Sequence, residues 1–345
     1  MAKKRTTIHD IAKELNVTAS TVSRALQDHP RISRETKEAV LEVARKLNYQ
    51  HNSLAAALRK GKSNLIGVIV PTADRNFFGT IIRGIEEVVN RSGYRVIISQ
   101  SNDLISKEKA NIDALLEAQV DGILASIAKD TVEFDHYLKI KKRGIPLILF
   151  DRVTDELNTS SVVIDDFLGA YKAVEHLIHQ GCRRIVHFSG QQNLSIYKER
   201  LRGYKQALLS NGLNFDKDLV LYGETQLETG EELGKQVLAM HPLPDAIFSA
   251  SDYTAIGAMH HLKRRGIKIP EQIAIVGFSN EVFTTFVDPA LTTVDQHGKM
   301  MGQTAAKLFL RQVDNKELLH NQEKTVLDPD LVIRKSSLKK RIDER

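Results

Sequence analysis

From Leu65 onward the chain repeats one unit: a short apolar run rich in Ile and Val, closed by Gly, Pro, Asp or Ser. The runs are LIGVIVP, YRVIISQS, DGILAS, PLILFD, SVVIDD, RRIVHFSG, DAIFSAS and IAIVGFS. Most are separated by amphipathic segments such as GTIIRGIEEVVNRSG and KEKANIDALLEAQ. A strand that is apolar at every position is buried on both faces, which calls for a parallel sheet covered by helices. Strands alternating with helices give a doubly wound α/β fold. Residues 64–335 exceed one such sheet and suit two.

Ligands of such folds bind beyond the carboxyl ends of the strands. Polar residues collect there: Asp74, Asn76, Phe77 and Phe78; Asp151 and Arg152; Asp165 and Asp166; Ser189 and Gly190; Ser251 and Asp252; Ser279 and Asn280. Their recurrence after successive strands points to one cleft between two sheets. Hydroxyl-binding side chains beside an aromatic pair suit a small polar ligand, such as a sugar stacked on Phe77 or Phe78.

The first 62 residues differ in kind. They hold 13 Lys+Arg against 6 Asp+Glu, whereas the remaining residues hold 36 against 37. All the positive excess therefore sits at the N-terminus and favours a polyanionic partner. The region also has helical periodicity. Ile8, Ile11, Ala12 and Leu15 share one face, with Thr6 or Thr7 as cap and Asn16 suited to a left-handed end. Thr18 caps a second helix with Val22, Ala25 and Leu26 inside, and Ser33 caps a third reaching about Asn48. Two short helices joined by a tight turn make a helix-turn-helix unit. The outer face of its second helix carries Ala19, Ser20, Ser23 and Arg24, small residues beside an Arg able to read guanine.

Composition excludes several classes. A single cysteine, Cys182, rules out an intrachain disulfide and a cysteine metal cluster. No apolar run approaches the ~20 residues of a membrane helix. The basic start is not followed by the apolar segment of a signal peptide, so a cytoplasmic protein is expected. No phosphate-binding glycine loop, zinc-binding His-Glu-x-x-His or nucleophile elbow occurs. No catalytic residues, cofactor or metal are expected.

TTIHDIAKELNVTASTVSRAL, with ISRETKEAVLEVARKLNYQHN after it, resembles the DNA-binding head of the lactose/galactose repressor family. The resemblance implies that Ala19, Ser20 and Arg24 face bases, and that Thr7, Thr18, Thr21, Ser23, Arg31, Tyr49 and Asn52 make phosphate and positioning contacts. It divides the N-terminus into a head, 1–50, and a linker, 51–63. The linker segment HNSLAAALRKGKSN is then a hinge helix that forms when two subunits sit on DNA, with Leu58 wedged into the minor groove and Arg59 beside it. The rest of the chain is similar to the same family, whose core is like periplasmic sugar-binding proteins; that architecture implies three crossings between the sheets, with 64–162 and 292–324 in the first subdomain, 163–291 and 325–335 in the second, and 336–345 as a basic tail. ERLRGYKQAL makes Arg200 the expected bidentate effector ligand. ASDYTAIGAM and IAIVGFSNEVF also match, and Thr225 occupies a spot that is aromatic in a purine-binding member. Ser279 departs from the Asp usual in the family and removes an acceptor for sugar hydroxyls.

The expected protein is thus a homodimeric transcription regulator that binds a near-palindromic double-stranded operator and a small-molecule effector, with no membrane partner. The alternatives are a small-molecule binding protein of periplasmic type, and a sugar-converting enzyme carrying a DNA-binding head.

Overall fold

A computed structural model describes residues 6–49 and 62–339. The hinge segment, with Asn52, Leu58 and Arg59, lies outside these residues. The chain divides into two compact units, 1–63 and 64–345.

The smaller unit has three helices: α1 (Ile8–Glu14), α2 (Ala19–Leu26) and α3 (Arg34–Lys46). Each begins at a hydroxyl residue. The Thr7 amide and hydroxyl both donate to Asp10 Oδ2, at 2.7 and 2.8 Å. Thr18 Oγ1 accepts from the Thr21 amide at 3.2 Å, and Ser33 Oγ from that of Thr36 at 3.2 Å. These bonds satisfy amides that a helix leaves open at its start. Asn16, at φ 51°, makes the left-handed turn after α1. Ile11, Ala12, Val22, Ala25, Val40 and Ala44 form the core. A core this small has little redundancy. Ile11→Ala is expected to cost about 2–5 kcal/mol and unfold the head at a temperature that leaves the larger unit intact, as separate transitions in calorimetry will show.

The larger unit contains two six-stranded sheets. The first holds β1 (Leu65–Val70), β2 (Arg95–Gln100), β3 (Gly122–Ala125), β4 (Leu147–Phe150), β5 (Ser160–Ile164) and β11 (Lys324–Leu327), in the order β11-β5-β4-β3-β1-β2. The second holds β6 (Ile185–Ser189), β7 (Val220–Tyr222), β8 (Ala246–Ser249), β9 (Ala274–Phe278), β10 (Thr292–Asp295) and β12 (Asp330–Val332), in the order β12-β10-β9-β8-β6-β7. Every pairing is parallel except β10 with β12. Among the helices, α4 (Asn76–Val89), α5 (Ile105–Glu117), α6 (Asp135–Lys142) and α11 (Gly298–Asp314) belong to the first sheet. The second is served by α7 (Asp166–His179), α8 (Ser195–Ser210), α9 (Leu227–Leu238) and α10 (Asp252–Arg264). α4 and α11 pack closely because Gly302 faces the other backbone: a Cβ there would lie 2.0 Å from the Ile81 carbonyl oxygen.

The division between subdomains differs from the expected one. β10 pairs with β9 and β12, so residues 292–295 belong to the second sheet. β11 pairs with β5, so residues 324–327 belong to the first. The chain crosses between β5 and α7, between β10 and α11, and between β11 and β12, a few residues later each time than expected. Short β-branched strands look alike whichever sheet receives them. The C-terminal tail also starts later than position 336. Ser336 and Ser337 are fully buried. Ser336 Oγ donates to the Ile275 carbonyl at 2.6 Å and accepts from the Thr292 amide at 2.8 Å, while the Ser337 hydroxyl meets those of Thr292 and the His176 ring at 2.7 Å. These bonds replace water for two polar side chains that read as solvated in sequence.

Candidate DNA-binding and effector sites

In the smaller unit, Thr7, Thr18, Ser20, Arg24 and Arg31 are exposed, and Ala19, Thr21, Ser23 and Tyr49 are half-buried. Ala19 and Tyr49 also rest on the head's core, so only part of each is free. The Thr18 hydroxyl meets those of Ser20 and Thr21 at 2.8 and 2.9 Å. The start of α2 therefore presents a hydroxyl cluster beside open helix amides, with Arg24 one turn on. That surface suits phosphate at the helix end and a base edge at the guanidinium.

In the larger unit, strand ends from both sheets meet across a cleft. Phe77, Phe78, Asp151, Arg200 and Ser279 line its centre. Thr225 lies in an adjoining part with Arg152 and Tyr197. Asn76 and Asn280 line a separate chamber at the start of α11, which touches the cleft at Phe77 and Ser279. Asp151, at φ 59°, and Ser279, at φ 125°, hold backbone conformations that side chains rarely adopt. Such strain persists where surrounding structure enforces it.

Two expected roles need correction. Arg200 is not free to take a ligand bidentately, because Asp166 already occupies its fork, at 2.8 Å from Nε and 2.7 Å from Nη2. Nη1 donates to the Ala250 carbonyl at 2.8 Å and Nη2 to Gln296 Oε1 at 3.2 Å. The guanidinium lies 3.7 Å from the Phe278 ring centre. Three of its five N–H groups thus make hydrogen bonds within the protein, and the ion pair with Asp166 holds the guanidinium in place. Burial pushes Asp166 up to about 7 even though Arg200 pulls the other way.

Asp252 touches no ligand space, being fully buried. Its carboxylate accepts from the Glu281 amide at 2.8 Å and the Thr293 hydroxyl at 2.6 Å. Gly277 makes room for it, since a Cβ there would lie 2.2 Å from Asp252 Oδ1. Asp252 is a brace for the loop carrying Ser279, Asn280 and Glu281. Burial pushes it up to about 7. A carboxylate raised above its unfolded value near 3.9 binds more protons when folded. Its contribution to stability is therefore fully present at low pH and declines as pH rises from about 4 to 7. Asp252→Asn is expected to flatten that decline, measured as denaturant midpoints at pH 5 and pH 7.5.

Several residues that shape the cleft stayed out of the sequence expectation. Arg75 Nη2 crosses from the first sheet to the Thr225 carbonyl at 2.6 Å and lies 5.0 Å from the Tyr253 ring centre. Lys129 crosses to Glu224 Oε2 at 2.6 Å, and Asn193 donates back to the Lys129 carbonyl. The Phe77 amide donates to Glu281 Oε1 at 3.4 Å. Arg152 pairs with Asp103, while its buried Nε has no hydrogen-bond partner among the described residues. Asp151 is buried too, its only side-chain hydrogen bond among the described residues being from Ser126 at 3.4 Å, and desolvation raises it above the usual carboxylate range. The cleft is thus drawn shut by cross-sheet bonds. The central space is about 30 Å³ and the adjoining one about 40 Å³, each near the volume of one water. Among the described residues, no group of His, Cys, Asp and Glu is arranged to hold a metal. No described helix is long and apolar enough to cross a membrane.

Residues 7–52 match the family of bacterial regulatory proteins of the lacI family, and residues 63–331 match the periplasmic binding proteins and sugar binding domain of LacI family. The HTH-type transcriptional repressor CytR of Escherichia coli is 33% identical over 331 residues, 96% of either chain. A LacI family transcriptional regulator from Enterococcus faecium, solved with bound ribose, is 28% identical with a TM-score of 0.70, covering 79% of this chain and 98% of that one. The lac repressor dimer bound to operator and an anti-inducer shares the fold, with a TM-score of 0.84 at 24% identity over 97% of this chain and 100% of that one.

Proposed function

Because the chain belongs to the lacI family of bacterial regulatory proteins, and is therefore a DNA-binding transcription regulator, we propose that it acts as a cytoplasmic homodimer, reads a near-palindromic operator and answers to a sugar or sugar derivative in the cleft. Repression is the favoured sign. The observation that carries this reading is the cleft itself: buried polar groups from both sheets converge on it, and Asp151 and Arg152 Nε have hydrogen-bonding capacity left over. A ligand that satisfies those groups will stabilise one arrangement of the two sheets over another. Coupling to DNA binding then needs differential affinity of about 1–3 kcal/mol between arrangements.

Two copies are favoured by an exposed apolar pair. Phe286 is 82% exposed and Val282 55%, both on the turn after β9. Two exposed apolar side chains four residues apart on one turn offer a start to an association surface. The heads would then present two copies of α2, with Ser20 and Arg24 toward bases and Thr7, Thr18, Thr21, Ser23 and Arg31 toward phosphates. Leu58 and Arg59 would serve the minor groove at the operator centre. No catalytic step is assigned to any residue.

The experiment is a duplex-binding titration across salt concentrations. Several phosphate contacts predict a steep fall in affinity between low and moderate salt. A flat profile would exclude this docking picture. Thermal shift of the purified protein against a sugar panel tests the effector half of the proposal.

A further inference from the structure

A charge pair crosses the cleft far from its pivot. Lys129, on the turn after β3 in the first subdomain, meets Glu224 Oε2 of the second at 2.6 Å. Glu224 follows β7, the edge strand of its sheet farthest from β10 and β12, where the chain crosses between sheets. A bond at that edge has a long lever about the crossings and opposes hinge opening more than one beside them. Two neighbouring contacts also bridge the subdomains. The Lys129 carbonyl accepts from Asn193, and Arg75 Nη2 donates to the Thr225 carbonyl at 2.6 Å. At the start of α4, which has no side-chain cap of its own, Glu281 of the second subdomain accepts from the Phe77 amide at 3.4 Å.

Both ends of the pair are fixed within their own subdomains. Glu224 Oε1 accepts from Gln191 Nε2 at 2.8 Å. On the other side, the turn carrying Lys129 is pinned residue by residue to the start of α5. The Ala128 amide donates to Glu108 Oε2 at 2.7 Å, the Lys129 amide donates to Asp103 Oδ1 at 3.2 Å, and Asp130 Oδ1 accepts from the Ile105 amide at 2.6 Å. Glu108 is fully buried, and its Oε1 meets the Thr131 hydroxyl and the His136 ring, each at 2.8 Å. A buried carboxylate is costly unless its oxygens are answered. Here the answering groups belong to the Lys129 turn and to the helix that follows it. Groups held in place beforehand lose little entropy on meeting, so this pair contributes more than a surface pair of free side chains. Lys129 and Glu224 are 29% and 41% exposed, and partial burial also limits screening by salt.

We propose that Lys129 and Glu224 form a latch built into the core, which sets the balance between its shut and open arrangements. The latch belongs to the chain and not to any effector. An effector that selects one arrangement has its apparent affinity scaled by the population of that arrangement. Changes at Lys129 or Glu224 therefore reset the concentration at which the regulator responds. That consequence rests on the cleft being the regulatory site, whereas the latch itself is tested with no effector present.

The test is the distribution of distances between spin labels at Val132→Cys and Glu228→Cys, both exposed and one in each subdomain. Labelled full chains are diluted into unlabelled ones, so that only distances within a chain are read. Cys182 takes no label, because it is buried and its thiol is pushed up to about 11. With the latch intact, the short distance is expected to dominate. Lys129→Met, which keeps the length and removes the charge, is expected to raise the open-to-shut ratio about threefold or more. Lys129→Glu and Glu224→Lys, each of which sets like charges face to face, should raise it further. The double variant Lys129→Glu/Glu224→Lys should reverse most of that rise, which a merely structural role for either residue would not do. An unchanged distribution in the single variants, or a double variant as open as the single ones, would overturn the latch and leave the reading of the cleft in place.

Discussion

Asp166→Ala is expected to destabilise the larger unit by about 3–5 kcal/mol. Arg200 is 3% exposed and its charge is answered by Asp166 at 2.7 Å. Truncating the carboxylate strands a guanidinium where the nearest compensation is a carbonyl and an amide oxygen. The pair itself need not be a net stabiliser, because two charges were desolvated to form it. Breaking one side is what costs. Arg200→Met alone should be destabilising too, by leaving a buried carboxylate that then protonates. Combining it with Asp166→Leu should recover most of the loss, since the pair is then replaced by apolar volume. Urea midpoints of the four proteins measure this. A single-mutant loss below about 1 kcal/mol would mean that water reaches Arg200 and that the cleft is open.

The second large effect concerns DNA. Arg24→Ala is expected to lower affinity for the best duplex by about 1–3 kcal/mol and to relax preference at one base position per half-site, in line with loss of a bidentate base contact. Thr18→Ala acts differently. It removes the hydroxyl that caps α2 at 3.2 Å, so it should weaken all sequences alike and lower the melting temperature of the head. Binding measured against a set of single-base variants separates the two. Equal loss on all variants for Arg24→Ala would move that residue from base reading to phosphate contact.

The eight apolar runs from LIGVIVP to IAIVGFS all form strands; seven are buried on both faces, which announces itself in composition, while β2 is an edge strand with no buried position. β7, β10, β11 and β12 were silent. They are three or four residues long, all but β10 at sheet edges, and TTVD, DLV or KTVL carries too few apolar positions to stand out. The three helix starts of the head were readable because Thr7, Thr18 and Ser33 act locally, within three residues. The cleft was readable only by half. Asp151 and Ser279 directly follow strands, and Phe77 and Phe78 open the helix after β1, where position alone marks them. Their counterparts do not. Arg75 meets Thr225 across 150 residues of chain and Lys129 meets Glu224 across 95, and no local pattern encodes such a meeting. The same distance hid the fate of Arg200. A motif assigns an arginine to the cleft, but that Asp166 holds its fork is a property of the packed sheets. Asp252 sits at a strand end like the lining residues, yet the tight approach to Gly277 turns it inward.

Coupled, symmetric reading of DNA is the claim on which the functional account stands, and selection of bound duplexes from a random pool by the purified full chain tests it most directly. Two copies of α2 joined through one dimer should enrich an inverted repeat with a fixed half-site spacing, and Arg24→Ala should abolish the enrichment at one position in both halves. A pool that fails to converge, or that converges on a single unrepeated site, would contradict it.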